Sequence, residues 1–462
     1  MADTDTLFFD FAKQTINANA LAAARKTLTA HGAIKQFQAL ARGNVTNVTE
    51  GRAATHMRER APNGTDHTSL RVLADQIAER GIRTIVNVGI GGSDLGLRLA
   101  DDAFRAALLH TRVSLRFCAG LDPAEWHEAT SDLDPATTAF VLASKSFTTL
   151  ETLNTGDRAK QWLGAHATSN LFATTANAER AQAYGIAPGN ISAFAESVGG
   201  RYSIWSSINL PLRVAYGNAP VDQMLAGAHA LDQRVLANHA FESSPYIAAI
   251  ARQYNRNTLG LTSQVIVPYA WGLRRLAEYL QQLVMESNGK RVNVRGEAIA
   301  SDPCAAIWGT VGTAAQHAYF QWLHQHPEGA AVDIIAIRPS ADPGAIALFE
   351  NAVAQARALA FGFEPEASDP LGAHKRTTGQ RPNTFIGLST LSPYALGQLL
   401  AHYEASVFVE ALLNEINPFD QFGVEYGKLL AKQVASASGD ASFDGSTAEI
   451  LAWGRGEARS AV

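Results

Sequence analysis

Thr84-Ile-Val-Asn-Val-Gly-Ile-Gly-Gly-Ser-Asp-Leu-Gly96 is the stretch that decides the fold class. Thr84–Val88 is a short apolar run, Gly89–Ser93 is a tight turn, and a helical stretch follows through Leu95, Leu97 and Leu99. Repeated, such a strand–turn–helix unit builds a parallel sheet. It does repeat: Val113–Phe117, Ala139–Ala143 and Asn170–Thr174 are further β-like runs, each followed by helical spacing. The second half carries a looser version, with strands expected at Gln264–Val267, Val332–Ile337 and Thr384–Gly387. Long helical segments, such as Arg274 to Met285 and Leu399 to Glu415, lie between them. The first 40 or so residues read as helix, with Leu21, Ala24, Leu28 and Ile34 on an apolar face. Ser436 to Ser446 reads as a loose C-terminal segment. The expected architecture is α/β: two doubly wound parallel-sheet domains with additional helices, the second domain the more helical. Ligands of such sheets bind beyond the carboxyl ends of the strands.

Composition bounds the function. A chain of 462 residues with 47% hydrophobic and 18% charged residues is long and apolar enough to bury its core without disulfides or a structural metal. A formal net charge of -5 argues against a nucleic-acid partner and requires any anionic ligand to be held by a local site. Cys118 and Cys304 form no CxxC pair. The acidic start Met-Ala-Asp-Thr-Asp-Thr lacks the character of a signal peptide. The longest chargeless stretches, Pro303 to Pro327 and Pro382 to Tyr403, are broken by Pro, Gly, Gln, His or Ser. The expectation is a cytoplasmic protein with no membrane span. No metal is expected, because His324 and His326 lack partners at ligand spacing and no HExxH occurs.

Several segments carry residues suited to chemistry. Gly89-Ile-Gly-Gly-Ser-Asp-Leu-Gly96 fits neither GxGxxG, since residue 94 is Asp, nor a P-loop. Alone it is equally a tight turn with a Ser N-cap or a contact for phosphate or sugar. Ser144-Lys-Ser-Phe-Thr-Thr-Leu-Glu-Thr152 is more specific: a strand end offering hydroxyls and one lysine just where a helix begins suits a phosphate dianion. Thr148 and Glu151 also have capping-box spacing. Glu286, in Met285-Glu-Ser-Asn-Gly-Lys290, lies near an expected helix C-terminus, where the macrodipole disfavours a charged carboxylate and suits a general base. Gln282 shares its face four residues earlier. Gln421, Glu425 and Lys428 have the spacing of one helical face, although Glu425 and Lys428 also fit a simple ion pair. Arg201 follows two glycines in Val198-Gly-Gly-Arg-Tyr-Ser203, which allow its guanidinium a close approach to a ligand. His317 lies in the mostly apolar stretch Ala314 to Leu323, where a lone histidine is more often a satisfied core residue than a catalyst. No GxSxG elbow occurs, so serine hydrolysis has no support.

Taken in series, these motifs resemble those of the glucose-6-phosphate isomerase family. The match runs from Asn47-Val-Thr-Glu-Gly-Arg-Ala53 through GIGGSDLG, SKSFTTLET, VGGRYSIWSS, MESNGK and QHAYFQ to QFGVEYGK. The resemblance implies two sugar-isomerase (SIS) type domains, with limits 48–215 for the smaller and 1–47 with 216–462 for the larger. It implies reversible isomerisation of glucose 6-phosphate to fructose 6-phosphate without metal or cofactor. By position, Ser144, Lys145, Ser146 and Thr149 match the phosphate pocket, and Gly92 and Ser93 lie close to the sugar. Glu286 matches the base that moves a proton between C1 and C2 through a cis-enediol(ate), and Arg201 the cation that stabilises it. His317 and Lys428 match the pair that opens the sugar ring, and Gln282 and Gln421 match substrate-contacting glutamines. The resemblance also implies a homodimer in which His317 enters the partner's site. Ser146 stands where the family commonly has Thr, which keeps the hydroxyl.

Two other classes compete. A non-catalytic sugar-phosphate sensor has no reason to retain Glu286, Arg201, His317 and Lys428 together. A glutamine-dependent aminosugar-phosphate isomerase needs a leading cysteine, and residue 2 is Ala.

Overall fold

The computed structural model describes the chain except residues 1, 4–5, 238–239, 437–442 and 457–462. The N-terminal strands β1 (Ala2–Asp3) and β2 (Leu7–Asp10) are followed by a small hairpin of β3 (Val45–Asn47) and β4 (Arg52–Ala54). The first α/β array then contributes β5 (Thr84–Gly89), β6 (Ser114–Cys118), β7 (Thr138–Ala143), β8 (Leu171–Thr175) and β9 (Ile191–Ala193). The second contributes β10 (Ser263–Tyr269), β11 (Ala306–Trp308), β12 (Ala331–Ile337) and β13 (Asn383–Leu388). Residues Met1–Phe419 form one compact unit and Asp420–Val462 a second.

The first sheet is wholly parallel, in the order β6-β5-β7-β8-β9. Its central strands β5 and β7 are buried at every position, so they read as continuous apolar runs rather than alternating ones. The chain leaves β5 toward β6 on one side and returns to β7 on the other. The carboxyl ends of β5 and β7 therefore flank a topological switch point, the crevice where ligands of such sheets bind. The two segments that emerge there are Gly91–Ser93 and Ser144–Thr149.

The second sheet repeats this order among its parallel strands, β13-β12-β10-β11, and the β2–β1 ribbon adds to β13 antiparallel, with Phe9 opposite Ile386. The fold is thus the α/β arrangement of two SIS-type sheets expected from the sequence. All seven expected strands form, each within two residues of the expected limits. The strands not foreseen, β1–β4, β9 and β11, have two to four residues each and are too short to show a period.

The N-terminal region departs from the expectation of plain helix. After β1 and β2, helices Ala18–Ala30 and Ala33–Ala41 are separated at Gly32, whose φ of 64° ends the first and starts the second. The break turns Ile34 outward, to 37% exposure, while Leu28, Ala33, Phe37 and Leu40 bury. The expected helix from Arg274 is also interrupted, as an α-helix over Leu276–Leu280 and a π-helix over Gln281–Glu286. Of the C-terminal segment 436–446, residues 437–442 lie outside the described residues, and a helix begins at Gly445. No helix among the described residues is long and apolar enough to cross a membrane.

Candidate active site

The turn after β5 is held from three sides. Asn87, fully buried within β5, donates from Nδ2 to the Ser93 carbonyl at 3.0 Å. Ser203 Oγ donates to the Gly92 carbonyl at 3.2 Å. A Cβ on Gly92 would fall 1.9 Å from the Gly200 carbonyl oxygen, so residue 92 can only be glycine if these backbones are to touch. Gly91, at φ 60°, lies against Gln282: a Cβ there would sit 2.9 Å from Gln282 Nε2. The turn is in this way brought to the VGGRYS segment at Gly92 and to Gln282 at Gly91.

The loop after β7 is arranged differently from its sequence expectation. Helix Leu150–Leu163 starts at Thr149, and no side chain caps it. Ser144 Oγ instead pairs with Thr149 Oγ1 at 3.0 Å, and Ser146 Oγ with Thr148 Oγ1 at 2.7 Å. Phe147 takes a left-handed φ of 52° with its ring buried, and the helix starts one residue later than the capping box requires. The capping box of Thr148 and Glu151 does not form. The amides at the start of the helix are left without a side-chain acceptor, and the hydroxyls of Ser144, Ser146, Thr148 and Thr149 gather beside them, an arrangement suited to an anion.

Lys145 stands in this loop, half-buried. Burial lowers its ammonium to about 8, and the Arg52 and Arg201 charges push the same way against the opposing pull of Glu50 and Glu196. A lysine beside other cations gains most from an arriving anion. Arg52 is tied to the Glu50 carboxylate and donates to the Glu196 carbonyl at 3.2 Å.

The third part lies where the π-helical segment ends. Segments of this kind bulge a helix and are common at functional sites. Glu286 is its last residue, and helical backbone ends two residues later at Asn288, so Glu286 lies in the final turn, as foreseen from the sequence. Its carboxylate Oε2 is 3.2 Å from Arg201 Nη1. Arg201 is 3% exposed, donates from Nε to Ser287 Oγ at 2.6 Å, and donates from Nη2 to the Pro418 carbonyl. Lys290 Nζ donates to the Glu286 carbonyl at 2.9 Å.

The remaining sequence candidates are placed as follows. His317 ends the short helix Gly312–Gln316, which packs on the Tyr269 ring through Gly312 and through Gln316 Nε2, 2.8 Å from the Tyr269 hydroxyl. The packing turns His317 outward. It is exposed, and among the described residues its imidazole makes no hydrogen bond, so the core-histidine alternative is wrong. Gln421 and Lys428 belong to the second unit. Gln421 has an extended φ of -153° and precedes the 3-10 turn Phe422–Val424, while Glu425 begins the helix Glu425–Ser436. The expected single face of Gln421, Glu425 and Lys428 therefore reduces to Glu425 and Lys428, and Lys428 is exposed. Among the described residues no group of three or more His, Cys, Asp or Glu is arranged to hold a metal ion.

Tyr202, Ser287 and Pro418 were not singled out from the sequence, although Tyr202 and Ser287 directly follow Arg201 and Glu286. A carbonyl such as that of Pro418 has no side-chain signature to find.

Comparison with known proteins bears on this arrangement. The family model for phosphoglucose isomerase matches residues 72–451. Glucose-6-phosphate isomerase of Xanthomonas campestris pv. campestris (strain B100) is 41% identical, over 97% of this chain and 92% of its own. That of Xanthomonas euvesicatoria pv. vesicatoria (strain 85-10) is 40% identical over the same shares. Among solved structures, a glucose-6-phosphate isomerase from Chlamydia trachomatis D/UW-3/Cx superposes with a TM-score of 0.87 at 28% identity, covering 98% of this chain and 92% of that one.

Proposed function

Because the chain belongs to the phosphoglucose isomerase family, we propose that Glu286 and Arg201 are the base and the cation of the reaction it catalyses, the reversible interconversion of D-glucose 6-phosphate and D-fructose 6-phosphate. The observation that carries this assignment is the 3.2 Å pair between a partly exposed carboxylate and a buried guanidinium, beside the turn that holds Gly92. In the open-chain aldose, Glu286 removes the proton from C2 and charge moves to O1. Arg201 stabilises the resulting cis-enediolate. The proton is returned to C1, and the hydroxyl proton of O2 passes to O1, as the carbonyl forms at C2. Base and cation supply both needs of the step, so the reaction is read as metal-independent.

The loop at Ser144, Lys145, Ser146 and Thr149 binds the phosphate, with Gly92, Ser93 and Gln282 close to the sugar. What supports this is the uncapped helix start and the gathered hydroxyls at the switch point. Holding the remote phosphate orients the reacting carbons. Gln421 and Lys428 contact substrate and assist ring opening on the strength of the family motif QFGVEYGK. His317 is the other ring-opening group, contributed to the site of a second copy in a cytoplasmic homodimer. Its exposure supports that reading.

A coupled assay of fructose 6-phosphate to glucose 6-phosphate, run in excess chelator, tests the proposal. Undiminished turnover is expected, and turnover lost to chelator removes the metal-independent mechanism. For the shared site, mixing inactive His317→Ala and Glu286→Gln chains regenerates activity as subunits exchange. No activity in proven mixed dimers assigns each histidine to its own subunit.

A further inference from the structure

Arg201 is held more firmly than charge stabilisation alone requires. Nε–H donates to Ser287 Oγ at 2.6 Å, and Nη2 donates to the Pro418 carbonyl. The Tyr202 hydroxyl closes the ring, 2.9 Å from Ser287 Oγ and 3.3 Å from the same Pro418 oxygen. Ser287 is fully buried, and Tyr202 is 2% exposed. One assignment of hydrogens satisfies every group: Arg201 Nε donates to Ser287, Ser287 to Tyr202, and Tyr202 to Pro418. If Tyr202 donated to Ser287 instead, the serine's own hydrogen would lack a partner in this ring.

The rest of the neighbourhood fixes that ring. His56 stacks on Tyr202 with centroids 4.5 Å apart at 24°, and Phe419 lies 5.9 Å from Tyr202. Burial and the cations Arg60 and Arg201 keep His56 neutral, so it adds no competing charge. The Pro418 turn is tied to the β3 end, where Asn417 Nδ2 donates to Asn47 Oδ1 at 2.7 Å and Asn47 Nδ2 donates to the Phe419 carbonyl at 3.3 Å. Asn47 opens the motif NVTEGRA, to which sequence reading gave no role.

We propose that Ser287 and Tyr202 are positioning residues for the isomerisation, holding Nε and Nη2 of Arg201 so that its Nη1 edge meets Glu286 and the oxygen on which charge develops. This rests on Glu286 and Arg201 being base and cation. Because Ser287 follows Glu286 directly, one backbone segment carries both the base and the acceptor that orients its cation. Without the hydroxyl, the guanidinium is released to swing about its Cδ–Nε bond and chelate the Glu286 carboxylate, which occupies the base.

The test compares Ser287→Ala, Tyr202→Phe, Arg201→Ala and the Ser287→Ala/Arg201→Ala double variant. Ser287→Ala is expected to lower kcat by about 10- to 100-fold, the range for a catalytic group misplaced by about an ångström, with KM within about threefold. Tyr202→Phe, which removes a single oxygen, gives a smaller change in the same direction and serves if Ser287→Ala does not fold. Wild-type kcat in both single variants overturns the proposal, as does a KM increase equal to the loss in kcat. In the Arg201→Ala background Ser287→Ala should cost nothing further, whereas an undiminished cost overturns the positioning role. If Arg201→Ala itself keeps wild-type turnover, the assignment of the cation fails, which is a separate result.

Discussion

The loop at residues 144–149 and the cluster around Glu286 lie in one compact unit but are assembled in opposite ways. The loop is a run of consecutive residues at one strand end, and its anion-binding character comes from local backbone and several equivalent hydroxyls. The cluster draws on chain positions far apart: Arg201 meets Glu286 across 85 residues and Pro418 across 217. The loop shares its load among donors, whereas the cluster depends on single contacts between buried groups. Damage to the two should therefore appear in different kinetic constants and with different severity.

The largest effect is expected at the cluster. Glu286→Gln should keep the fold and substrate binding while losing ~10²–10⁴-fold in kcat, the usual worth of a positioned base. Near-normal turnover would remove its role. At the loop, Ser144→Ala with Thr149→Ala should leave kcat nearly intact and raise KM by about 10- to 100-fold, the worth of a lost hydrogen bond to a charged group. Sugar phosphate and free sugar turned over equally well by the unmodified enzyme would break the comparison at its root.

The smallest effect sharpens the comparison through pH. Lys145 carries its charge below about 8 and loses it as pH rises through that value, because burial and Arg52 lower it from the ordinary lysine range. The substrate phosphate is already doubly charged above pH ~6. KM should therefore rise about three- to tenfold between pH ~8 and ~9 while kcat changes less, since a tenfold change per pH unit is the limit for one proton. Lys145→Arg should flatten that rise, because arginine keeps its charge. A KM that is flat from pH ~7.5 to ~9.5 in the unmodified enzyme would contradict the placement of Lys145 at the phosphate.

Legibility followed the same division. The loop was legible as a strand end rich in hydroxyls, although the capping box was misjudged: Phe147 is left-handed with its ring buried, and the helix starts one residue later. Glu286 was legible as a carboxylate near a helix end, but the π-helical segment that carries it was not. His317 was weighed as a core residue because its neighbours are apolar. The structure exposes it, since those neighbours are divided between two short helices rather than sharing one buried face.

The sequence by itself determined the strand–helix alternation, the soft charge balance and the order of the motifs. These depend on periodicity and turn chemistry within about 15 residues, which local sterics and burial impose. Tertiary structure alone decided that β5 and β7 are neighbours across the switch point. It also decided that Gly92 touches Gly200, and that Ser287, Tyr202 and Pro418 surround one guanidinium. Those pairings join segments whose separation along the chain carries no local signal. The last of them forms because burying the Arg201 guanidinium favours acceptors for its donors, whichever part of the chain supplies them.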